Sequence, residues 1–328
     1  MVEMSETRFV NAGVIGTGMM GPGIALTLAL GGVRTTIVSR SPEGADRGVA
    51  KALSLAKRLL EDELADAALV ERAIGLLTGS AGFDEMVAAA DLVIESGPED
   101  LAWKQQLFAR MGALAPRHAV LASNTSGLSI TSIAVSCQWP ERVLTTHFWN
   151  PPHLMPLVEI VKGEHTSAEA AGAVRDLLTA CGKTPVIVKK DRPGQLGNRL
   201  QMALVREAAY IVAEGIADAD DVDTVAKNGF GLRMPVYGIL EHQDIVGLDL
   251  GISVLEYVAR DLCNEPRAPD YYADLVRRGQ LGAKTGRGFY DWSLKSADEV
   301  KARRDRFLAW FLRDRRRASR SPGRLNAG

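Results

Sequence analysis

Short apolar runs alternate with longer amphipathic stretches along the first 190 residues of the chain. Short runs rich in Val and Ile are typical of buried strands, and apolar positions three and four residues apart are typical of helices. The predicted strands are Phe9–Ile15, Arg34–Ser39, Asp91–Glu95, Ala119–Ser123, Val143–His147, Val158–Val161 and Val186–Val188. The predicted helices between them are Pro22–Leu30, Ala50–Leu69, Leu101–Leu114 and Ala168–Cys181. This alternation predicts an α/β fold with a mostly parallel, doubly wound sheet.

The strand pattern stops after Lys190, and the following segments have helical periodicity. Helices are predicted at Gln195–Glu214, 218–228 and 238–263. We therefore predict a sheet domain over residues 1–190, an all-helical domain over residues 191–296 and a tail over residues 297–328.

The tail is basic and has apolar residues at helical spacing, which predicts an amphipathic helix over 297–317. This helix is expected to dock on the body or on a partner subunit. A solvated basic face that offsets the acidic body is the favoured interpretation, and an anionic membrane or RNA is the alternative. Residues 319–328 have the composition of a disordered end.

Composition narrows the class of protein further. Hydrophobic residues make up 46% and charged residues 24% of the chain, which excludes disordered and collagen-like proteins. The net charge is −1, so nothing marks the whole chain as a nucleic-acid binder. The three cysteines have no metal-ligand spacing, and neither a signal-peptide core nor an 18-residue apolar run is present. We expect a cytoplasmic protein without a metal site and without membrane or nucleic-acid partners.

The sequence Gly16-x-Gly18-x-x-Gly21 follows the first strand and opens the first helix. The first glycine permits a tight turn, the second lets a pyrophosphate approach the backbone, and the third lets the helix pack against the strand. Free amide groups at the start of the helix then face the phosphates. The turn, including Met19 and Met20, is therefore predicted to bind a dinucleotide.

The end of the second strand indicates which dinucleotide is preferred. NAD enzymes usually have Asp or Glu there, which accepts hydrogen bonds from the ribose hydroxyls. This chain has Ser39-Arg40-Ser41 instead. A guanidinium can hold a 2′-phosphate, so the sequence favours NADP over NAD. The alternative is a solvated Arg40 beside an unselective pocket.

Two polar segments interrupt otherwise apolar sequence, at 122–127 and 146–159. They contain imidazole, carboxylate, hydroxyl and amide groups. An imidazole is the usual base for removing a hydroxyl proton as hydride leaves the carbon. A carboxylate against the imidazole fixes its tautomer, and Glu159 between Val158 and Ile160 is a buried charge that needs such a partner.

With these motifs the chain resembles the 3-hydroxyacyl-CoA dehydrogenase family from about Phe9 to Trp292. The segments that carry the resemblance are GVIGTGMMG, DLVIESGPEDLAWK, SNTSGLSITSIA, HFWNPPHLMPLVEIV, KKDRPGQLGNRL and GAKTGRGFYDW. The resemblance implies an N-terminal Rossmann-type domain, a helical C-terminal domain that forms a homodimer, and NAD(P)-dependent hydride transfer. The implied reaction interconverts a 3-hydroxyacyl-CoA, such as 3-hydroxybutyryl-CoA, and its 3-keto form.

The resemblance also implies a role for individual residues. His147 is the implied catalytic base, Glu159 its partner, Ser126 the group that binds the substrate oxygen, and Asn198 a residue that places the substrate. The implied cofactor-binding residues are the turn and strand-end positions already named together with Glu99, Lys104 and Asn124. Asn150, His153 and Arg233 are the candidate substrate residues.

Two departures from the family pattern leave the substrate open. The chain has Pro152-His153 where CoA-using members usually have Val-Pro, and it has Arg233 in the helical domain near a Gly-Ile-Leu-Glu-His sequence. The first departure resembles relatives that oxidise small free acids, of the L-gulonate, carnitine or pyridine-carboxylate type. Arg233 either pairs with a substrate carboxylate or lies at the surface or an interface. A non-catalytic dinucleotide-binding protein is a further alternative.

Overall fold

The computed structural model describes residues 9–320, and the chain divides into two compact units. Among the described residues, one unit contains residues 9–198 together with residues 303–320, and the other is Arg199–Ala302. The division falls within a helix, Gly197–Ala213, whereas the sequence places it between residues 190 and 191. The chain therefore returns to the first unit at its end.

The first unit is built on one sheet of eight strands in the order β3-β2-β1-β4-β5-β6-β7-β8. All neighbouring strands are parallel except β6 and β7, which are antiparallel. Because β2 and β4 lie on opposite sides of β1, the sheet is doubly wound as predicted. The strands are β1 (Asn11–Ile15), β2 (Arg34–Val38), β3 (Leu77–Ser80), β4 (Leu92–Glu95), β5 (Val120–Ser123), β6 (Val143–Phe148), β7 (Leu157–Lys162) and β8 (Thr184–Val188).

Helices cover both faces of this sheet. One apolar cluster packs helices α1, α2, α3 and α7 on one face, and a second packs α4, α5 and α6 on the other. Side chains alternate between the faces, so Leu92 and Ile94 belong to one cluster and Val93 to the other. The helices are α1 (Gly21–Leu30), α2 (Pro42–Glu61), α3 (Ala67–Gly75), α4 (Phe83–Ala89), α5 (Leu101–Leu114), α6 (Ile130–Ala134) and α7 (Ala168–Ala180).

The predicted single helix Ala50–Leu69 is wrong. The structure has two helices, α2 and α3, separated at residues 62–66, where Glu63 has a left-handed φ of 56°. Asp66 begins α3 by accepting a hydrogen bond from the Leu69 amide at 2.9 Å. An Asp at this position is a typical helix N-cap, so the sequence contained the signal for this break.

The second unit is helical. Its elements are α8 (Gly197–Ala213), which begins in the first unit, α9 (Ala219–Asn228), α10 (Phe230–Arg233), α11 (Ile239–Val246), α12 (Leu248–Val258) and α13 (Asp270–Arg277). The helix predicted over 238–263 is interrupted between α11 and α12 at Gly247, whose φ is 102°. That backbone conformation is open mainly to glycine, which explains the interruption.

The last helix, α14 (Ala297–Arg320), runs back to the sheet unit. Leu308 and Leu312 pack against the apolar cluster that contains α1 and α2. At its end Arg317 lies 2.8 Å from Glu63, and Arg316 donates to the Leu64 carbonyl. The basic residues therefore meet the acidic connection between α2 and α3. The sequence predicts disorder over residues 319–328, but the first two of these residues belong to α14. Residues 321–328 lie outside the described part of the chain.

Within residues 9–320 no helix is both long enough and apolar enough to cross a membrane.

Candidate active site

The carboxyl ends of β1, β4, β5 and β6 meet at one edge of the sheet because these strands are parallel. The glycine turn follows β1 at this edge. Gly16 has a φ of 118°, and a Cβ there would lie 2.4 Å from the Ser96 carbonyl oxygen. A Cβ on Gly21 would lie 1.9 Å from the Gly16 carbonyl oxygen. Both positions therefore require glycine for reasons of space, and Gly16 also for its backbone conformation.

The turn fits a dinucleotide pyrophosphate. A Cβ built on Gly18 would meet nothing within 4 Å, so its backbone faces open space, and Met19 is 68% exposed. Helix α1 begins with no side-chain cap at Met20 and no acidic residue in its first turn. Its first amides are thus available to an anionic group, which the helix dipole also favours.

The residues after β2 are placed beside this turn by the pairing of β1 with β2. The Ser41 hydroxyl accepts a hydrogen bond from the Gly44 amide at 3.2 Å and caps α2. Ser39 Oγ would lie 2.2 Å from a Cβ on Gly44. Arg40 is exposed and makes no ion pair among the described residues. Both serines therefore lie against the start of α2, and the exposed Arg40 side chain is available to a ligand.

His147 and Glu159 meet directly across two antiparallel strands. His147 on β6 is opposite Glu159 on β7, so their side chains point to the same face. Imidazole Nδ1 lies 2.8 Å from Glu159 Oε2, and both side chains are buried. An ionised carboxylate accepts the Nδ1 proton, which leaves Nε2 as the proton acceptor of the neutral ring. Nε2 makes no hydrogen bond to the described residues.

The Glu159 carboxylate accepts four hydrogen bonds in all. Oε2 also accepts from Trp149 Nε1 at 3.1 Å, and Oε1 accepts from the amides of Leu196 and Gly197 at 2.9 and 2.8 Å. Burial opposes ionisation of the carboxyl group. The hydrogen bonds from His147, the two amides and the indole outweigh burial and lower the pKa of Glu159 from 4.5 to about 2. Glu159 is therefore ionised throughout the physiological range.

Ser126 lies in an exposed turn after β5 that accepts two side-chain hydrogen bonds from residues 195–198. Asn198 Nδ2 donates to the Ser126 carbonyl at 2.9 Å, and Gln195 Nε2 donates to the Thr125 carbonyl at 3.0 Å. Residues 195–198 thus contact this turn as well as Glu159. The Ser126 hydroxyl makes no hydrogen bond to the described residues, so it is available to a ligand.

A second carboxylate, Glu95, lies fully buried at the end of β4. It accepts two bonds from Lys104 Nζ at 2.6 and 2.7 Å, one from Ser123 Oγ at 2.6 Å, and one from the Gly97 amide at 2.5 Å. The same ammonium lies 3.6 Å from Glu99 Oε2. Lys104 is therefore buried below the carboxyl ends of the strands, and its ammonium group bridges the carboxylates of Glu95 and Glu99.

Glu99 holds the Ser126 turn by its other oxygen. Oε1 accepts from Thr125 Oγ1 at 2.5 Å and from the amides of Ser126 and Gly127 at 3.0 and 3.1 Å. Burial opposes its ionisation, but the Thr125 bond, the Lys104 charge and the two amides lower the pKa of Glu99 below its usual value. The cofactor-lining role implied for Glu99 and Lys104 stays a prediction; their described contacts are with the turn and with Glu95.

The remaining predicted residues differ in their surroundings. Asn124 Oδ1 accepts from the Phe148 amide at 2.9 Å and so ties β5 to the residue after His147. Asn150 is exposed, and the bond before Pro151 is cis. Burial, helped by the Lys183 charge, lowers the pKa of His153 to about 4, and its Nδ1 is buried without a hydrogen-bond partner. His153 is therefore uncharged at neutral pH, and its predicted substrate role stays a prediction.

Arg233 lies in the helical unit. Its Nη2 is 3.0 Å from Nε2 of His242, and the Tyr237 ring stacks on the His242 imidazole with centroids 5.2 Å apart. Arg233 is exposed and makes no ion pair among the described residues. A held guanidinium without a carboxylate partner is suited to an oxyanion. Its predicted substrate role stays a prediction.

Sequence reasoning missed Glu95, Gln195 and Trp149. The signal for Glu95 was present, because it ends an apolar strand just as Glu159 interrupts one, and such a charge needs a partner. Gln195 and Trp149 left no comparable signal, since the direction of an amide or an indole depends on packing. Among residues 9–320 no group of three or more His, Cys, Asp or Glu side chains is arranged to hold a metal ion.

Two family models match consecutive parts of the chain. The model described as "3-hydroxyacyl-CoA dehydrogenase, NAD binding domain" matches residues 11–192. The model described as "3-hydroxyacyl-CoA dehydrogenase, C-terminal domain" matches residues 194–292.

Individual proteins are similar over nearly the whole chain. A 5-formyl-3-hydroxy-2-methylpyridine 4-carboxylate 5-dehydrogenase of Mesorhizobium japonicum is 33% identical over 91% of this chain and 96% of its own length. A probable 3-hydroxybutyryl-CoA dehydrogenase of Bacillus subtilis is 37% identical over 87% of this chain and 98% of its own. A solved structure of the former type of enzyme, described as an NAD⁺-dependent dismutase, superposes with a TM-score of 0.83 at 32% identity and covers 93% of this chain and 97% of that one.

The edge of the sheet thus combines a dinucleotide-binding turn with a His–Glu pair, and both halves of the chain match models of one family. The resemblance drawn from the motifs is confirmed, as is the fold. The chain belongs to the 3-hydroxyacyl-CoA dehydrogenase family, whose members are NAD-dependent dehydrogenases acting on a hydroxyl group.

Proposed function

We propose that this protein interconverts a hydroxyl group and a carbonyl group on a small substrate that carries a free carboxylate, with His147 as the acid–base. The observation that carries the reaction type is the buried contact of 2.8 Å between His147 Nδ1 and an ionised Glu159. That contact leaves Nε2 to take the hydroxyl proton in oxidation and to return it in reduction. Bound at the glycine turn, the nicotinamide cofactor supplies or accepts the hydride.

The chain's own residues do the remaining work. Glu159 stabilises the imidazolium that forms when His147 takes a proton. The Ser126 hydroxyl, held by the contacts of its turn to Glu99 and Asn198, donates a hydrogen bond to the substrate oxygen. Because these groups are already fixed by other bonds, little reorganisation is needed as charge develops.

Two observations favour a free carboxylate on the substrate. A pyridine-carboxylate dehydrogenase matches over most of this chain. The Arg233 guanidinium contacts His242 and makes no ion pair among the described residues. Both favour a free hydroxy acid or ring alcohol. The second candidate is a 3-hydroxyacyl-CoA, which the family models and the Bacillus subtilis relative favour.

His147→Gln tests the acid–base. The variant should lower kcat by about 10²–10⁴-fold, the usual contribution of a positioned acid–base, while the Kd for NADH stays within a factor of two of wild type. Steady-state kinetics and NADH fluorescence titration measure the two quantities. Wild-type kcat in the variant would contradict the assignment. Tight NADH binding by the wild type without turnover of any hydroxy acid or thioester would favour a non-catalytic dinucleotide-binding protein.

Glu159→Gln tests the ionised carboxylate. Because the pKa of Glu159 falls from 4.5 to about 2 on folding, the carboxylate stabilises the fold above about pH 4.5, and this stabilisation is lost as the pH falls towards 2. The variant should lose about 3 kcal/mol of unfolding free energy at pH 7 and much less at pH 3. Urea unfolding at both pH values measures this. An equal loss at both would show that charge is not the cause.

We propose NAD as the working coenzyme, because the matching model and the solved relative are described by NAD. The NADP preference predicted from Ser39-Arg40-Ser41 is not supported by the comparisons.

Arg40 should nevertheless permit some use of NADPH. Arg40→Ala should therefore raise the KM for NADPH about tenfold or more, the effect of losing a hydrogen bond to a charged group. The KM for NADH should change less than twofold. A wild-type KM lower for NADPH than for NADH would refute the proposal.

Arg233→Met tests the substrate class. If a carboxylate pairs with Arg233, the variant should raise the KM for a free hydroxy acid by about 10-fold or more and spare the Kd for NADH. Arg260→Met, which changes another exposed arginine of the same unit, is the matched control. Efficient wild-type turnover of 3-hydroxybutyryl-CoA, with no turnover of free hydroxy acids, would favour the second candidate.

We also propose a homodimer formed through the helical unit. Helix α12 has no buried residue among its eleven, and Leu250, Ile252 and Leu255 are each more than half exposed. An apolar surface of this kind marks an interaction site, and a second copy of the chain supplies an identical apolar face. Ile252→Asp should convert the dimer to a monomer in light scattering, whereas Ile74→Asp in the sheet unit should not. A monomeric wild type would contradict the proposal.

A further inference from the structure

Trp149 follows His147 by two residues and is half-buried. Its indole Nε1 donates to Glu159 Oε2 at 3.1 Å, the same oxygen that lies 2.8 Å from His147 Nδ1. The indole and imidazole rings are tilted by 52° with centroids 5.6 Å apart. Two N–H donors therefore converge on one carboxylate oxygen, and the amides of residues 196 and 197 occupy the other.

Gly197 provides the space for the indole. A Cβ built there would lie 2.4 Å from Trp149 Cζ2 and 3.3 Å from Glu159 Oε2. Gly197 is not among the residues with positive φ, so its backbone conformation is open to alanine. Glycine is required at this position by the neighbouring indole ring of Trp149 and not by the backbone conformation.

The shared oxygen has an electrostatic consequence. A carboxylate stabilises an imidazolium in proportion to the charge on the oxygen facing it. A second donor on that oxygen stabilises the carboxylate itself and reduces its effect on the imidazole. The indole thus fixes the orientation of the carboxylate and at the same time makes His147 less basic than Glu159 alone would make it.

We propose that Trp149 is a positioning residue that orients Glu159 and sets the basicity of His147, and that Gly197 is glycine in order to admit the indole. The proposal rests on the acid–base role proposed for His147. A mere packing role for Trp149 would alter stability on substitution and leave the titration of His147 where it was.

The test is the NMR titration of the His147 imidazole in wild type and in Trp149→Phe, with the signal assigned by its loss in His147→Gln. Phenylalanine keeps an aromatic ring and removes the N–H donor. Without the second donor the imidazolium is better stabilised, so the titration midpoint should rise by about half a pH unit or more. In kinetics, kcat/KM for alcohol oxidation rises with pH as His147 loses its proton. This rise should move to higher pH by a similar amount.

Trp139→Phe is the matched control, because Trp139 contacts Arg117 and lies outside this group. It should leave the midpoint unchanged. An unchanged midpoint in a folded Trp149→Phe variant that binds NADH normally would overturn the proposal. The titration needs no turnover, so its failure is separable from a failure of the proposed reaction, which would show as an inactive wild type.

Gly197→Ala gives a second, independent test. The added methyl group should displace the indole, weaken its bond to Oε2, and raise the midpoint in the same direction as Trp149→Phe. In the Trp149→Phe background the outer ring of the indole is gone, so the same alanine should add less than half of its effect in the wild type. Strictly additive shifts would show that the glycine and the indole do not interact, and would overturn this part of the proposal.

Discussion

The buried carboxylate of Glu159 is the interaction on which the site depends. A carboxylate in an apolar sheet is strongly unfavourable unless it is fully hydrogen-bonded, and this one accepts four bonds. Its partners come from β6, from the residue after β6, and from the amides of Leu196 and Gly197, where α8 begins. Satisfying one charge therefore fixes the imidazole and the start of α8 relative to β7. The Ser126 turn is thereby fixed as well, because Gln195 and Asn198 of the same segment donate hydrogen bonds to it.

A second buried carboxylate, Glu95 at the end of β4, is satisfied in a similar way. Glu95 and Lys104 form a buried pair at the end of β4, and Lys104 extends the contact to Glu99, which receives the amides of the Ser126 turn. The turn is thus held by Glu99 on one side and by residues 195–198 on the other. The charges of Glu95 and Glu99 are used to hold backbone and side chains in place.

The sequence was sufficient for the parts of the molecule that have strong local patterns. The central strands are apolar on both faces, and each ends at a glycine or polar residue, so their order along the chain was predictable. Strand β3 was missed because only Leu77 of its four residues is buried, as befits an edge strand. The end of helix α2 was misjudged because apolar residues at helical spacing, Leu60 and Leu64, continue into residues 62–66, where the chain turns.

The site was predictable as a set of residues and less so as a set of contacts. The pairing of His147 with Glu159 followed from family motifs and from a charge inside a strand, and the antiparallel register supplies its geometry. The second donor on Glu159 was not predictable, since nothing local to Trp149 determines where its N–H points. The preference expected from Arg40 illustrates another limit, because one exposed guanidinium does not determine which coenzyme binds.

The central claim is that the protein catalyses hydride transfer, at the site around His147, between the cofactor and the carbon that bears the hydroxyl group. It is tested most directly by incubating the protein with NADH deuterated at the transferable position of C4 and a panel of keto acids and ketoacyl thioesters. Mass spectrometry of the products then follows the label. The account predicts deuterium on the carbinol carbon of one product, and transfer of the label about 10²–10⁴-fold more slowly with His147→Gln. Tight binding of the labelled NADH, with no label transferred to any member of the panel, would contradict it.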